Sequence, residues 1–351
     1  MTAPQPMIAV LILGYNDERY LPDALRSTRA QSYVDYDLIY IDNASSDGSL
    51  AFVRSASPGV RILANERNLG YAGAYREALD LVFSEGYDGA VLLNADVIVD
   101  RRWLEELVRT GYAAADIALA QPKIFLWDGE GNDRANTFGN EIHYLGFGFC
   151  GHYKQPDGPA FANDREITFA SGASLLVKRG PYLEIGGLDE SFFAYLEDQD
   201  LGWRARMRGY RCVLSARSVM WHKYSFTKSP RNGRKFYLLE RNRLFFVYKN
   251  YSWRTILLLL PAFLFMEAGV LANSVVKGYF RDKVRAYCDF ARNLPTMRVK
   301  RAAAQEMRVV PDSRLFARFV PAIRFEEIDS PLLALANVFL RLYRWLVARI
   351  V

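Results

Sequence analysis

The chain has 351 residues, 51% of them apolar and 14% aromatic, with 45 Lys and Arg against 39 Asp and Glu. That composition supplies a buried core for one large or two modest domains, and it excludes a disordered, collagen-like or disulfide-scaffold protein. The net charge of +6 averages two unlike parts: residues up to Pro230 carry 23 basic and 30 acidic side chains, a net −7, whereas the remainder carries 22 and 9, a net +13.

Met1 to Pro6 is short and polar and leads straight into an apolar run, so no secretion signal is expected and the catalytic part is expected in the cytoplasm. From Met7 to Ala120, short apolar runs alternate with amphipathic stretches. Ile8 to Gly14, Asp37 to Asp42, Val60 to Ala64 and Gly89 to Asn94 read as strands. Leu21 to Gln31, Tyr71 to Ser84 and Arg101 to Thr110 read as helices. This alternation predicts βαβ units and a mostly parallel sheet covered on both faces. Ligands bind beyond the carboxyl ends of such strands.

The residues at those ends are polar: Tyr15-Asn16-Asp17-Glu18, then Asp42-Asn43 through Asp47-Gly48, Asn65 with Asn68, and Asn94-Ala95-Asp96. Any one of them is an ordinary cap or turn former, but four strand ends converging on carboxylates and amides exceed that need. Neither GxGxxG nor GxxxxGK[ST] follows the first strand, so a nucleotide must be held without a glycine-rich phosphate cradle. Tyr15 can stack on a base, Asp42 can accept from a ring N–H, and a divalent cation can bridge a diphosphate to Asp96.

Pro122 to Asp164, rich in Gly, Asn and aromatics, reads as an irregular insertion shaping a donor or acceptor pocket. Phe169-Ala170-Ser171-Gly172-Ala173 then leads into a strand ending near Val177. Glu197-Asp198-Gln199-Asp200 opens an amphipathic helix that runs to about Arg208 and stops at Gly209. One acid satisfies the dipole of a helix start, so three within four residues predict that at least one serves chemistry. His222 follows a strand-like Arg211 to Leu214; a lone histidine is more often a surface or core residue than a ligand. Cys150, Cys212 and Cys288 stand far apart and imply neither a zinc ribbon nor a disulfide framework, which fits a reducing compartment.

Taken in order, LILGYNDERYL, IDNASSDGS, NLGYAGA, LLNAD, SGASLLVKRGPYLEIGGLDESFFAYLEDQDLGWRARMRGYR and WH resemble family 2 of the inverting glycosyltransferases, most closely its rhamnosyltransferase-like branch. The resemblance runs from Ile8 to about His222. It implies an α/β GT-A fold, Rossmann-like, with a mostly parallel mixed sheet and flanking helices. The catalytic domain would occupy 1–230, divided into a nucleotide-binding half (1–120) and an acceptor and catalytic half (121–230). Residues 231–351 would form a helical, membrane-associating extension.

Carried over, the resemblance implies that Tyr15 packs on the donor base, Asp42 hydrogen-bonds it and Asn68 lies near the diphosphate. Asn94-Ala95-Asp96 stands in the place of the DxD motif, with Asp96 as its metal-binding acid. Asn94 replaces the first Asp, and an amide contacts ribose but binds a cation less well. His222 therefore gains weight as a second ligand for Mg2+ or Mn2+. Asp198 matches the catalytic base. At a helix start its carboxylate is expected to have a low pKa, which still suffices if the attacked centre is cationic.

The reaction expected is an inverting, metal-dependent transfer of a sugar from a nucleotide-diphosphate donor, dTDP-rhamnose or a UDP-hexose, to a glycan or polyprenyl-linked acceptor in cell-surface polysaccharide synthesis. A nucleotidyltransferase would bring a glycine-rich, basic phosphate loop, which is lacking. A processive synthase would bring QxxRW well after the base, and QDLGWR at Gln199 does not match. A non-catalytic, membrane-bound sugar-binding or scaffold protein on the same fold would tolerate Asp198→Asn.

In the basic part, Gly233 to Asn250 reads as a helix interleaved with aromatics. Arg and aromatics together can stack on nucleic acid, but no RNA-binding module is recognisable and no nucleic-acid partner is expected. Thr255 to Val276 gives 22 largely apolar residues broken by Pro261, Glu267 and Asn273. Its length can span a bilayer, and its central acid is costly there. An in-plane membrane helix, a true span and a core or oligomer helix all stay open. Leu332 to Val351, with Arg341, Arg344, Arg349, Tyr343 and Trp345, fits an interfacial helix or a packed one, so a homo-oligomer stays open as well. The expected location is the cytoplasmic face of the cell membrane.

Overall fold

The computed structural model describes residues 5–129, 132–223, 233–324 and 331–349. The expected boundary at Pro230 lies outside the described residues. The chain forms two compact units, one of residues 1–140, 150–205 and 210–225, the other of 141–149, 206–209 and 226–351.

In the first unit β1 (Ile8–Gly14), α1 (Leu21–Arg29), β2 (Tyr36–Asp42), α2 (Ser49–Ala56), β3 (Arg61–Ala64), α3 (Gly70–Ser84) and β4 (Gly89–Asn94) follow in the anticipated alternation. Next come β5 (Val97–Val99), α4 (Trp103–Gly111), β6 (Ile117–Leu126) and β7 (Ala135–Thr137). After a short strand pair of the second unit, β8 (Glu141–Ile142) and β9 (Gly148–Phe149), the first unit resumes with β10 (Arg165–Ile167), β11 (Ser174–Lys178) and α5 (Arg179–Glu184). It ends with α6 (Glu197–Arg208), whose last turn is assigned to the second unit, and β12 (Arg211–His222).

The strands form one sheet in the order β10-β12-β6-β11-β4-β1-β2-β3, with β5 on β12 and β7 on β6. β3, β2, β1 and β4 run parallel, and β11 lies antiparallel between β4 and β6. Every residue of β1 from Ile8 to Ile12 is fully buried, as a strand covered on both faces requires. Leu21 and Leu25 of α1 and Trp103, Leu104 and Leu107 of α4 join the core cluster that holds Ile8, Val10 and Ile12. From α3, the buried Tyr75 hydroxyl donates to Leu93 O at 2.8 Å and accepts from Leu93 N at 3.1 Å.

Two expectations are corrected. The insertion does not begin at Pro122, because β6 passes through that proline. The register of β12 slips between Ser215 and Val219, opposite Pro122 and Lys123, and a bulge is where a strand tolerates a residue without an N–H. β12 likewise does not stop at Leu214: it continues past the bulge, so His222 is the final residue of a strand.

The second unit contains α7 (Gly233–Asn250), α8 (Trp253–Lys277), α9 (Phe280–Arg292), α10 (Leu294–Glu306), α11 (Asp312–Phe316) and α12 (Pro331–Val347). Ser252 Oγ caps α8 by accepting from Thr255 N at 3.2 Å, and Gly278, with φ of +79°, ends it. An ion cluster ties the first three helices together. Arg243 of α7 meets Glu240 at 2.8 Å and Lys283 of α9 meets Glu267 of α8 at 2.7 Å, with further contacts from Arg243 to Glu267, Lys283 to Glu240 and Tyr287 to Glu267.

Candidate active site

Parallel pairing puts the carboxyl ends of β2, β1 and β4 side by side, with Gly14 opposite Asp42 and Leu13 opposite Asn94. The loop after β1 is fastened to the loop after β2. Asn16, in the left-handed region at φ of 59°, accepts through Oδ1 from Ser46 N at 2.8 Å, and Asp17 N donates to Ser49 Oγ at 3.0 Å. Tyr15 N donates to Asp17 Oδ2 at 3.0 Å, and Tyr15 is 48% exposed. Burial pushes the Asp17 carboxyl up to about 6, the Tyr15 amide opposes it, and the charges of Asp96 and Asp47 add to the rise.

Asp42 ends β2 and is buried, accepting from Ser45 N at 3.2 Å. Asn68 is committed to the fold through its oxygen: Oδ1 accepts from Gly70 N at 2.8 Å and from Asn43 Nδ2 at 3.1 Å. Asn43 also takes Leu69 N and Asn65 Nδ2 at 3.0 Å each. Three asparagines thus lock the end of β2 to the start of α3. Gly70, at φ of +72°, has no room for a side chain, since a Cβ would lie 2.3 Å from Phe193 O.

Beyond β4, Asp96 and His222 meet. Their Oδ1 and Nε2 are 3.1 Å apart, and His222 Nδ1 lies 3.1 Å from Asn136 Oδ1. An amide oxygen and a carboxylate oxygen both accept, so Nδ1–H donates to Asn136 and Nε2–H to Asp96 in this arrangement, and a cation would take the place of the Nε2 proton. Burial would raise the Asp96 carboxyl, but the charge and hydrogen bond of His222, with help from Asn94, hold it below the ordinary value. A carboxylate and an imidazole nitrogen fixed by an outer amide form a donor pair suited to a divalent cation. Among the described residues, no group of three His, Cys, Asp or Glu gathers as a metal site, so phosphate and water oxygens would have to complete the shell. Asn136 was not singled out in the sequence; its part depends on a contact with a residue 86 positions away.

Asp198 sits on the first turn of α6. Its Oδ2 accepts from Gly172 N at 2.9 Å and its Oδ1 from Gln199 N at 2.8 Å. The next residue, Ala173, accepts from Asn94 N at 3.1 Å, so the start of β11 joins Asp198 to the end of β4 and thus to Asp96. Tyr71 of α3 donates to Gly172 O at 2.5 Å and steadies the same junction.

The low pKa expected from the helix start is overturned. Burial pushes the Asp198 carboxyl up, against the pull of the Gly172 and Gln199 amides. Its neighbour Glu197 is buried with Oε2 unpartnered, and burial plus the Asp198 charge drive it well above the usual carboxylate range. The third acid, Asp200, is structural: it binds Arg204 at 2.8 Å, and Arg204 also donates to Ile185 O and Gly187 O. Just before the acids, Phe193, Tyr195 and Leu196 hold φ of 63°, 70° and 66°, a strained run at the site's edge that the sequence did not reveal.

A family profile described as Glycosyl transferase family 2 matches residues 9–185, just over half the chain. N-acetylglucosaminyl-diphospho-decaprenol L-rhamnosyltransferase of Mycobacterium tuberculosis is 27% identical over 241 residues, covering 64% of this chain and 77% of that protein. Succinoglycan biosynthesis protein ExoO of Rhizobium meliloti is 28% identical over 125 residues, 35% of each chain.

Among solved structures, S. aureus TarS 1–349 in complex with UDP-GlcNAc superposes with a TM-score of 0.55 at 15% identity, covering 97% of this chain and 90% of that one. GalNAc-T7 with UDP, GalNAc and Mn2+ gives a TM-score of 0.61 at 14% identity, covering 83% of this chain and 57% of that one, so this chain spans little more than half its length. These likenesses establish the GT-A fold that the resemblance implied.

Proposed function

The chain belongs to glycosyltransferase family 2, and from that premise we propose an inverting transfer of a sugar from a nucleotide-diphosphate donor to a hydroxyl of a glycan or polyprenyl-linked acceptor. Asp198 is the base. An acceptor oxygen attacks the anomeric carbon on the face opposite the diphosphate, the bond from that carbon to the phosphate oxygen breaks, and the hydroxyl proton passes to an Asp198 oxygen. Bonds from Gly172 and Gln199 occupy one lone pair on each carboxylate oxygen and leave others for the acceptor. The observation that carries this reading is the link from Asp198 through Gly172 and Ala173 to Asn94 and Asp96, which supports proton acceptance beside diphosphate departure.

The donor side is read as Tyr15 packed on the base, Asp42 hydrogen-bonding it, Asn68 near the diphosphate and Asn94 toward the ribose. Asp96 and His222 would hold Mg2+ or Mn2+. When bound, that cation neutralises charge developing on the departing diphosphate. The rhamnosyltransferase relative supports a rhamnose donor and a diphospho-polyprenyl-linked acceptor; we assign dTDP as the carrier and the cytoplasmic membrane face as the location, with UDP-hexoses as the second choice of donor. A donor screen reading nucleoside-diphosphate release, with and without Mn2+, tests the proposal. Release from at least one donor that requires acceptor is expected, and no turnover or stabilisation with any donor would overturn it.

A further inference from the structure

Within the second unit, α8 and α12 each have an apolar side that is exposed among the described residues. On α8, Thr255, Leu259, Ala262 and Met266 are buried at helical spacing, and Glu267 beside them is taken up by Arg243 and Lys283. The opposite side exposes Leu257, Leu260, Leu264, Phe265, Val275 and Val276, Leu264 by 59%. α12 lies alongside: the Phe265 and Phe339 rings are 4.7 Å apart, and Tyr343 donates to Leu258 O at 2.6 Å. α12 exposes Leu335, Val338, Phe339, Leu342, Trp345 and Leu346, spaced as one helical stripe, Leu342 by 61%. The two stripes belong to one packed helix pair.

Among the described residues, the exposed charges carried by these two helices and their ends have one sign. α12 contains no acid, and the single acid of α8, Glu267, is turned into the ion cluster. Arg254 and Lys277 are exposed at the ends of α8, Arg341 on α12 and Arg349 just past its end. Both exposed tryptophans carry a guanidinium over the ring, Arg301 at 4.0 Å from Trp253 and Arg349 at 3.5 Å from Trp345. Apolar stripes with aromatic anchors and basic rims match the boundary between acyl chains and anionic headgroups. A second copy of the chain is a poorer occupant, because pairing these faces brings basic rim against basic rim with no exposed acid on either helix to meet them.

Although α8 has 25 residues and an 18-residue stretch within it has a mean hydropathy of 2.1, long and apolar enough to cross a bilayer, its packing opposes a span. Glu267 is tied to charged partners on α7 and α9, and crossing would take those charges into hydrocarbon or break the cluster. We propose that the joint α8–α12 face docks on an anionic lipid bilayer, with both helices lying in the interface plane and neither crossing it. This deepens the membrane location proposed above and rests on it alone; sugar transfer at Asp198 stands or falls separately.

The test floats the full-length chain with phosphatidylcholine vesicles prepared with or without phosphatidylglycerol. Tighter partition onto the anionic vesicles is expected, by about fivefold for each Lys or Arg that reaches the surface. The double variant Leu264→Glu/Leu342→Glu should bind them at least about tenfold more weakly, while releasing nucleoside diphosphate in solution as the wild type does. Arg341→Gln/Arg349→Gln leaves the apolar side chains of both stripes in place and should lose most of the preference for anionic vesicles, which keeps the test decisive if the glutamate variant does not fold. Lipids brominated near the headgroup should quench Trp253 and Trp345, and lipids brominated near the chain ends should not. Equal binding to both vesicle types, wild-type binding by the folded glutamate variant, deep quenching, or a dimer dispersed by Leu264→Glu/Leu342→Glu without vesicle binding would each overturn the proposal.

Discussion

Replacing Asn136 by Ala probes the cation-binding reading at a residue that is not itself a ligand. Asn136 Oδ1 stands 3.1 Å from His222 Nδ1 and fixes the ring so that Nε2 faces Asp96 Oδ1, also at 3.1 Å. Without that amide the imidazole can rotate or change tautomer, and loss of such an outer partner typically weakens metal binding about 10- to 100-fold, or about 1.4–2.8 kcal/mol. The fold should suffer less. Asn136 Nδ2 already lacks a partner, so truncation forfeits one hydrogen bond worth about 0.5–1.5 kcal/mol. Calorimetric titration of Mn2+ into the protein with excess nucleoside diphosphate, for wild type, Asn136→Ala and His222→Ala, measures this. Affinity should fall in both variants, with thermal unfolding of Asn136→Ala close to wild type. Unchanged Mn2+ affinity in Asn136→Ala beside a large loss in His222→Ala would refute the orienting role, and no change in either would remove Asp96 and His222 as the cation site.

Burial raises the Asp198 carboxyl, so kcat/KM should fall in acid with a midpoint above about 4, the ordinary aspartate value; a midpoint below that contradicts the assigned base. Burial and the Asp198 charge drive Glu197 well upward, so Glu197→Gln, which has the shape of the protonated acid, should keep kcat within about threefold, whereas a loss of about a hundredfold would mean that an ionised Glu197 takes part. Gly70→Ala puts a Cβ 2.3 Å from Phe193 O at a φ of +72°; thermal unfolding should reveal a loss of at least about 1–2 kcal/mol, and an unchanged midpoint would contradict the packing. For Glu267, burial raises the carboxyl but Arg243 and Lys283 more than offset it and bring it to about 2, against 4.5 ordinarily. The stability this group contributes is complete above pH 4.5 and is lost as pH falls toward 2, so wild type should lose thermal stability across that window and Glu267→Gln should lose less.

The nucleotide half was legible because its signals are local. Buried strands announce themselves as apolar runs, and parallel pairing obliges the polar residues after β1, β2 and β4 to gather at one edge. α6 was equally plain, with its acids at one end and Gly209, at φ of +101°, beyond the other. What escaped depends on tertiary contacts. Pro122 argues against a strand until the bulge opposite it is known, and the same bulge hid the length of β12 and the place of His222 at its end. Asn43 and Asn136 look like turn formers until their partners, 22 to 86 residues away, come into view. Asp198 was misjudged electrostatically because a helix start can be read from sequence and burial cannot. On α8, Glu267 reads as a defect in an apolar run until Arg243 and Lys283 are seen beside it.

The central claim is a single displacement with Asp198 as the proton acceptor. It is tested most directly by supplying the purified chain with its productive nucleotide sugar, Mn2+ and a hydroxyl acceptor, and following diphosphate release together with the anomeric configuration of the product by proton NMR. The account predicts inversion by the wild type and, in Asp198→Asn, turnover slower by about 10²- to 10⁴-fold with donor binding retained. Retention of configuration, a glycosyl adduct on Asp198, or an Asp198→Asn variant as active as the wild type would contradict it.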